Sequence, residues 1–226
     1  MNIKAVQYNN NFYNNNNNNQ YRYHYSQEND IVSFSANTER NTQFIKNLEH
    51  LKQKKGGSFD NCNSEEIFNA IGIKTRRKKN GLLIISEYRQ PDNKYTFSQL
   101  GIDEDKLVED ISVIEGNSDF SKSDAKIYKN LEYVGGNFRL TFNNSKSFPV
   151  LKEISKSAYF YRAKDISLPR LEKIGGSAIC SHSIFTDINN LKEVNGDMQV
   201  RDSNLAQLDI SNVKVNGLKR HIDWRG

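Results

Sequence analysis

The chain has 226 residues, of which 36% are apolar, so it has room for one domain or two small ones with a modest core. Its longest apolar run, Leu82–Ile85, is far too short for a membrane-spanning helix, and we expect no membrane span. Lysine and arginine number 32 against 27 acidic residues, and this small excess is spread along the chain, which is not typical of a dedicated nucleic-acid binder.

Residues 1–36 are of low complexity. The runs Asn9–Asn11 and Asn14–Asn19 alternate with tyrosines, and almost no aliphatic side chain is available to form a core. We therefore predict a disordered, Asn/Tyr-rich tail over this segment. Because polar and aromatic tracts can also self-associate, a structural or surface-assembly role for the tail is one functional hypothesis.

Residues 37–110 are predicted to form a small α+β cap on the repeats that follow. Two short helices are predicted, one over Ser64–Gly72 and one after Asp103, since Ser and Asp are preferred at helix N-termini. A longer helix is predicted over Thr38–Lys55, where apolar residues recur at helical spacing: Phe44, Leu48 and Leu51. A cap of this kind would cover the first repeat, whose end otherwise exposes apolar core and strand edges.

The densest charge cluster of the chain is the basic segment 74–79, with the sequence KTRRKK. It precedes a strand predicted at Leu82–Ser86 and a return strand predicted at Tyr95–Phe97. Phosphate contact with nucleic acid is one hypothesis for this segment. The segment has no interleaved aromatic residues and acidic residues follow it at 103–110, so we favour a solvated loop between a helix and a strand.

From Ile111 to Ile210 the sequence repeats every 20 residues. The fourth place of each unit is β-branched and apolar, and most units are also apolar at the eighth, tenth and eighteenth places. Places eight and ten differ by two, the strand period, so both side chains should point inward. Stacked units of this length share one core, which predicts a solenoid. The five units begin at Ile111, Leu131, Leu151, Leu171 and Leu191.

Small or turn-forming residues occupy the fifth and sixth places of most units, as in Gly135-Gly136 and Gly175-Gly176. We expect a tight bend at these places, because glycine adopts positive φ at little cost.

The repeat pattern slips by one residue after Ile210. Val215 and the pair Asn216-Gly217 then match the fourth to sixth places one residue late, which predicts a partial sixth unit and a solenoid over residues 111–217. Residues 218–226 are predicted to form a C-terminal cap in which apolar side chains fold over the last coil: Leu218, Ile222 and Trp224.

The segment Leu168-Pro169-Arg170-Leu171, with Ile174 and Gly175 after it, resembles bacterial leucine-rich repeats. The resemblance is to the short variety with an L-P-x-L-x-x-I-x-G turn, also found in receptor L-domain-like repeats. It implies a leucine-rich-repeat-like solenoid in a bacterial protein, with a non-enzymatic surface that binds protein or glycan. The family's Asn ladder is largely missing, which leaves a straighter, β-helix-like stack as the alternative; the thirteenth place holds Ser123, Asn143, Ala163, Ser183 and Ser203.

The ninth and eleventh places of the units should point outward if the eighth and tenth point inward. Tyrosine and arginine are enriched at binding hot spots, so a shallow ligand-binding face is predicted around the middle units. The alternative is a solvated sheet face on which aromatic residues only form cross-strand pairs. The candidate ligand-binding residues are Arg139, Tyr159, Tyr161, Ile179 and Arg201.

The sequence contains no recognisable catalytic, cofactor or metal motif. The four histidines and two cysteines lack metal-ligand spacing, and phosphate loops, nucleophile elbows and HExxH are missing. We therefore predict no enzyme activity, no catalytic or metal-binding residues and no cofactor. Cys180, at an inward place, is expected to be a buried free thiol.

The primary functional hypothesis is a monomeric, non-enzymatic interaction module with a protein partner or, alternatively, a glycan. The alternatives from other classes are a nucleic-acid-associated protein that uses the basic segment 74–79, which we do not expect, and the tail-mediated assembly described above. The N-terminus lacks a signal-peptide pattern, so a cytoplasmic location is the default expectation and export by a signal-independent route is the alternative.

Overall fold

A computed structural model of the chain describes residues 30–91, 94–208 and 210–220. Most of the predicted tail, residues 1–29, lies outside the described residues, and so does most of the predicted C-terminal cap, residues 221–226. Three helices and a strand pair precede a β-solenoid, as the repeat pattern predicts.

The solenoid has three sheets whose strands are parallel from coil to coil. Strand partners lie 20 residues apart, as in Ala158 with Ala178, so the predicted period is the true register. Sheet 1 contains Thr75–Arg77, Leu83–Ile85, Ile111–Ile114, Tyr133–Val134, Glu153–Ile154, Lys173–Ile174, Glu193–Val194 and Lys214–Val215. Sheet 2 contains Ser118–Asp119, Phe138–Arg139, Ala158–Tyr159, Ala178–Ile179, Met198–Gln199 and Lys219–Arg220. Sheet 3 contains Asn144–Ser147, Lys164–Ser167 and Phe185–Asp187.

The core is a stack of inward side chains at the predicted places. The fourth, eighth and tenth places are buried in all five units, and the eighteenth is buried in the first four. Sheet 3 lies where the sequence indicated only a variable return segment, and it adds Ile166 and Phe185 to the core. Each apolar column is therefore continuous through neighbouring coils, and each coil is stabilised mainly by burial against the next.

The glycines of the repeat are required by close approach of neighbouring backbones, and the expectation of positive φ at these bends was wrong. The positive-φ glycines are all outside the repeat, before residue 102. A Cβ added to Gly136 would lie 2.4 Å from the carbonyl carbon of Gly116, and one added to Gly175 would lie 2.2 Å from the carbonyl oxygen of Ser155. No real Cβ is found so close, so a side chain there would force consecutive coils apart.

A ladder of side chains at the seventh place connects consecutive coils. The Asn117 Oδ1 accepts from the Asn137 N–H at 2.9 Å, and the Asn137 Oδ1 accepts from the Ser157 N–H at 3.1 Å. Ser157 and Ser177 continue the ladder, each accepting from the backbone of the next coil at 3.1 Å. These bonds satisfy amides at the corner before sheet 2, so the chain has a polar ladder at the seventh place although the thirteenth lacks most of one.

The three helices lie close to their predicted positions. α1 spans Asp30–Lys54, beginning at Asp30 rather than at Thr38, since extending a helix costs less than starting one. α2 spans Ser64–Ala70; its N-cap is Asn63, which forms a reciprocal capping box with Glu66. α3 spans Glu104–Glu109 and is capped by Asp103, as predicted.

The basic segment contains the first strand of sheet 1, so the loop interpretation was wrong for Thr75–Arg77. This strand pairs antiparallel with Leu83–Ile85, which in turn pairs parallel with Ile111–Ile114. A short arginine-bearing strand thus covers the N-terminal edge of the solenoid. The return strand predicted at Tyr95–Phe97 was also wrong: reciprocal hydrogen bonds between Thr96 and Gln99 start a 3-10 helix at Ser98–Leu100 instead.

A buried polar cluster joins the N-terminal part to the first coil. The Glu104 carboxylate is buried and accepts hydrogen bonds from the Tyr88 hydroxyl at 2.5 Å and from the Gln90 side-chain amide and the Asp124 N–H at 2.6 Å each. Below it, Lys146 is buried at the inward place that Ile166 holds in the next coil, and burial lowers the pKa of its ammonium to about 8.

Lys146 compensates for a missing strand. The first coil contributes only an isolated bridge to sheet 3, at Ile127, so its preceding carbonyl groups lack a ladder. The Lys146 Nζ donates to two of these carbonyls, those of Ser123 at 2.8 Å and of Ala125. A charged side chain thus replaces backbone pairing where the solenoid begins.

The partial sixth unit is present and ends the core. Lys214 pairs with Glu193, which is 21 residues earlier, and this spacing agrees with the predicted one-residue slip. Lys219 pairs with Met198 and brings a lysine to the end of an apolar column, while Leu218 is 59% exposed. Ile222 and Trp224, the other predicted cap residues, lie outside the described residues.

The close approach at the sixth place yields a direct stability test. Gly136→Ala should lower the free energy of unfolding by about 2–3 kcal/mol, because its Cβ meets only backbone atoms that cannot move independently. The matched control is Lys156→Ala, since the sixth place of that unit already has a Cβ and is exposed; its change should stay within about 0.5 kcal/mol. Chemical denaturation of both variants measures the difference, and equal effects would contradict the close-packing explanation.

Candidate binding face

The predicted ninth-place residues form one column on the outer face of sheet 2. Tyr159 pairs in register with Arg139 on one side and with Ile179 on the other. Neighbouring strands lie about 4.8 Å apart, so these side chains are in contact range of one ligand. Arg139 is exposed, Tyr159 is 37% exposed and Ile179 is partly buried.

The predicted eleventh-place residues lie beside this column, where the chain turns from sheet 2 toward sheet 3. Tyr161 is half-buried, and its ring centre lies 5.5 Å from that of Phe142 and 5.6 Å from that of His182, both edge-on. Arg201 is exposed, and its Nε lies 3.4 Å from the Asp202 carboxylate. The structure therefore places the five predicted residues on one continuous surface.

The twelfth place forms a third column that the sequence analysis missed. Each member has left-handed backbone geometry although none is glycine: Phe142, Arg162, His182 and Asp202 have φ of 55°, 55°, 58° and 50°. The Arg162 guanidinium lies 5.6 Å from the Phe142 ring centre and 5.2 Å from the Tyr161 ring centre. We name the three columns together the aromatic–arginine face; it comprises Arg139, Phe142, Tyr159, Tyr161, Arg162, Ile179, His182, Arg201 and Asp202.

The left-handed backbone of this corner is unfavourable for the residues that occupy it. A left-handed conformation costs about 1–2 kcal/mol for a residue with a Cβ, and glycine would avoid that cost. Phe142 is nevertheless 64% exposed, so its ring does not recover the cost by burial in the core. Strain of this kind is concentrated at functional sites, which makes the corner a candidate for ligand contact.

The aromatic–arginine face has cations without carboxylate partners. Within the part of the chain that the structure describes, Arg139 and Arg162 form no ion pair. At the C-terminal end of the face the charges are compensated, because Asp202 lies 3.2 Å from the His182 Nδ1 as well as beside Arg201. The middle of the face is therefore positively charged.

The outer face of sheet 1 provides the contrast. Its charges alternate in sign from coil to coil, and opposite charges meet across strands: Lys192 lies 2.9 Å from Glu172, and Lys214 lies 3.6 Å from Glu193. Such a face neutralises itself and disfavours slipped registers that would align like charges.

The basic segment is likewise paired with carboxylates. Arg77 contacts Glu65 at 3.0 Å and Asp110 at 3.8 Å, and Arg76 forms an ion pair with Glu115. These arginines are therefore largely committed to partners within the chain.

The described residues do not assemble a metal site, and their buried thiol is not activated. Across these residues, no group of three or more His, Cys, Asp or Glu side chains could hold a metal ion. Burial raises the pKa of the Cys180 thiol, which disfavours the reactive thiolate. None of the helices in the described ranges is both long and apolar enough to cross a membrane.

Comparisons with protein-family models, with curated proteins and with solved structures found no match for this chain. The leucine-rich-repeat likeness therefore remains a resemblance of the repeat sequence.

Substitutions at Arg162 test whether the corner is strained. Arg162→Gly and Arg162→Ala both remove the guanidinium, but only alanine retains a Cβ at a φ of 55°. The glycine variant should be more stable by about 1 kcal/mol, measured by thermal or chemical unfolding. Arg139 is the control because it lies in a strand of sheet 2, where glycine should instead be less stable than alanine by about 0.5–1 kcal/mol. If alanine is the more stable at both positions, the corner stores no strain.

Proposed function

We propose that this protein is a non-enzymatic binding module that holds a protein or glycan ligand on its aromatic–arginine face. The observation that carries the proposal is the combination of unpaired arginines and exposed aromatic rings in the middle coils, around Arg139, Tyr159 and Arg162. Aromatic residues and arginine provide most of the affinity at protein interfaces.

The backbone beneath the face favours this role. Sheet 2 is held on both sides by parallel pairing, and the seventh-place ladder binds each coil to the next. A rigid scaffold lowers the entropy lost on association, because the side chains are already held in their bound arrangement. Repeat proteins commonly present ligand-binding surfaces in this way.

The leucine-rich-repeat-like sequence supports the same functional class. That resemblance implies a protein- or glycan-binding surface in a bacterial protein, and we propose both on this basis. We propose a single-chain module without catalysis, since no catalytic motif is recognisable in the sequence.

The alternative functions have less support. A nucleic-acid site at the basic segment 74–79 is weakened by the ion pairs of Arg76 and Arg77. Assembly through the tail remains a hypothesis, because residues 1–29 lie outside the described residues.

The double substitution Tyr159→Ala/Tyr161→Ala tests the proposed face. The tagged full-length chain is used in pull-downs from lysate and medium of the source organism and from host-cell extract. A partner retained by the wild type should be reduced at least about tenfold by the double variant, because two hot-spot side chains are lost. The control is Tyr133→Ala, which removes a partly buried tyrosine from the outer face of sheet 1 and should leave the partner bound.

Circular dichroism establishes that all three proteins are folded. A partner that binds the double variant as well as the wild type would place the binding site elsewhere and contradict the proposal.

A further inference from the structure

We infer that the ligand of the aromatic–arginine face is an acidic polysaccharide, a chain of sugars that carry carboxylate groups. This inference rests on the binding function proposed above and specifies the chemical class of the ligand. Three features of the face support it: its charge, the environment of Arg162 and the lack of a strand edge.

The charge of the middle coils requires an anionic ligand. The stretches 136–142, 156–162 and 176–182 form the strands of sheet 2 and the adjoining corner in these coils. They contain Arg139, Lys156 and Arg162 and no aspartate or glutamate. A face with uncompensated positive charge is electrostatically complementary to an anion and repels cationic ligands.

Arg162 is positioned to receive a carboxylate. Its guanidinium lies within 5.6 Å of the ring centres of both Phe142 and Tyr161, so cation–π attraction holds it at the corner. Among the described residues it has no acidic partner, which leaves its planar set of N–H donors available to an anion. A guanidinium of this kind binds carboxylate by two parallel hydrogen bonds.

The aromatic rings indicate that the anion is attached to a sugar. Phe142 is 64% exposed and Tyr159 is 37% exposed, and such rings pack against the C–H faces of pyranose units. Side chains of one column recur about every 4.8 Å, the spacing of neighbouring strands. This spacing is close to the length of one pyranose unit along a polysaccharide, so successive sugars can meet successive coils.

An extended acidic peptide fits the face less well. Side chains on one side of an extended peptide recur about every 6.6–6.8 Å, which does not match the coils. Peptides that bind to sheets usually pair with a free strand edge, but the sheet 2 strands of the middle coils already have partners on both sides. The face therefore offers side chains rather than backbone groups.

Single-stranded nucleic acid is also disfavoured. Successive bases bind best to aromatic platforms and a groove that follows many phosphates. Here the Tyr161 ring is nearly perpendicular to those of Phe142 and His182, at 81° and 84°, and the middle coils supply only three lysine and arginine side chains.

The test measures binding of full-length protein to polygalacturonate by calorimetry at low salt. The uncharged comparison polymer is a neutral galactan, and poly-glutamate and single-stranded DNA are the anionic comparisons. Arg139→Ala/Arg162→Ala should weaken polygalacturonate binding at least about tenfold, because both uncompensated guanidinium groups are lost. The control, Lys152→Ala/Lys173→Ala, removes the same charge from the outer face of sheet 1 and should change affinity less than about twofold.

Binding of polygalacturonate in preference to the other three polymers, lost in the arginine variant alone, is the expected result. Equal binding of galactan, tighter binding of poly-glutamate or DNA, or no polygalacturonate binding would overturn the inference. Equal losses in both double variants would overturn it too, because attraction would then depend on net charge alone. If a pull-down partner is lost in Tyr159→Ala/Tyr161→Ala while polygalacturonate does not bind, the binding module stands and only the acidic polysaccharide is refuted.

Discussion

Consecutive coils of this protein approach so closely at the sixth place that their backbones touch where a side chain would normally lie. A Cβ on Gly136 would lie 2.4 Å from the carbonyl carbon of Gly116, and one on Gly196 would lie 2.8 Å from the Ser177 nitrogen. This contact holds the units in a 20-residue register, and the seventh-place ladder beside it reinforces the register with hydrogen bonds. Because every coil has the same register, every place in the unit becomes a column, and the surface of the protein is a set of columns with separate chemistry.

The columns of sheets 1 and 2 have opposite electrostatic character. On sheet 1 lysines and glutamates alternate, so attraction between neighbouring coils contributes to specifying the stack. On sheet 2 and its corner the middle coils have aromatic rings and arginines without carboxylate partners among the described residues. Such charge does not stabilise the fold, and the left-handed backbone of Phe142 and Arg162 opposes it. Features that oppose stability on an exposed surface are accounted for by a ligand.

The sequence predicted whatever depends on periodicity. The inward places, the 20-residue register, the slipped sixth unit and the Asp103 cap follow from spacing and residue type, and the five candidate residues lie on one surface. It could not predict features that depend on contacts between coils. Nothing in the residue types Phe142 and Arg162 indicates left-handed backbone, and Gly136 has the same letter whether it serves positive φ or close approach. Lys146 resembles a surface residue, because its carbonyl partners are contributed by the preceding coil. Sheet 3 was missed because only one of its inward side chains per coil is apolar.

The central claim is that each middle coil contributes strands to three sheets in one register. Residue-resolved amide hydrogen exchange tests it most directly, since every ladder bond protects one amide. In the third unit, slow exchange is predicted in three separate stretches that include the amides of Ser155, Phe160 and Leu168, which donate to Val134, Ile179 and Asp187. A single protected stretch in each 20-residue unit, with residues 164–168 exchanging freely, would contradict the three-sheet solenoid and the columns derived from it.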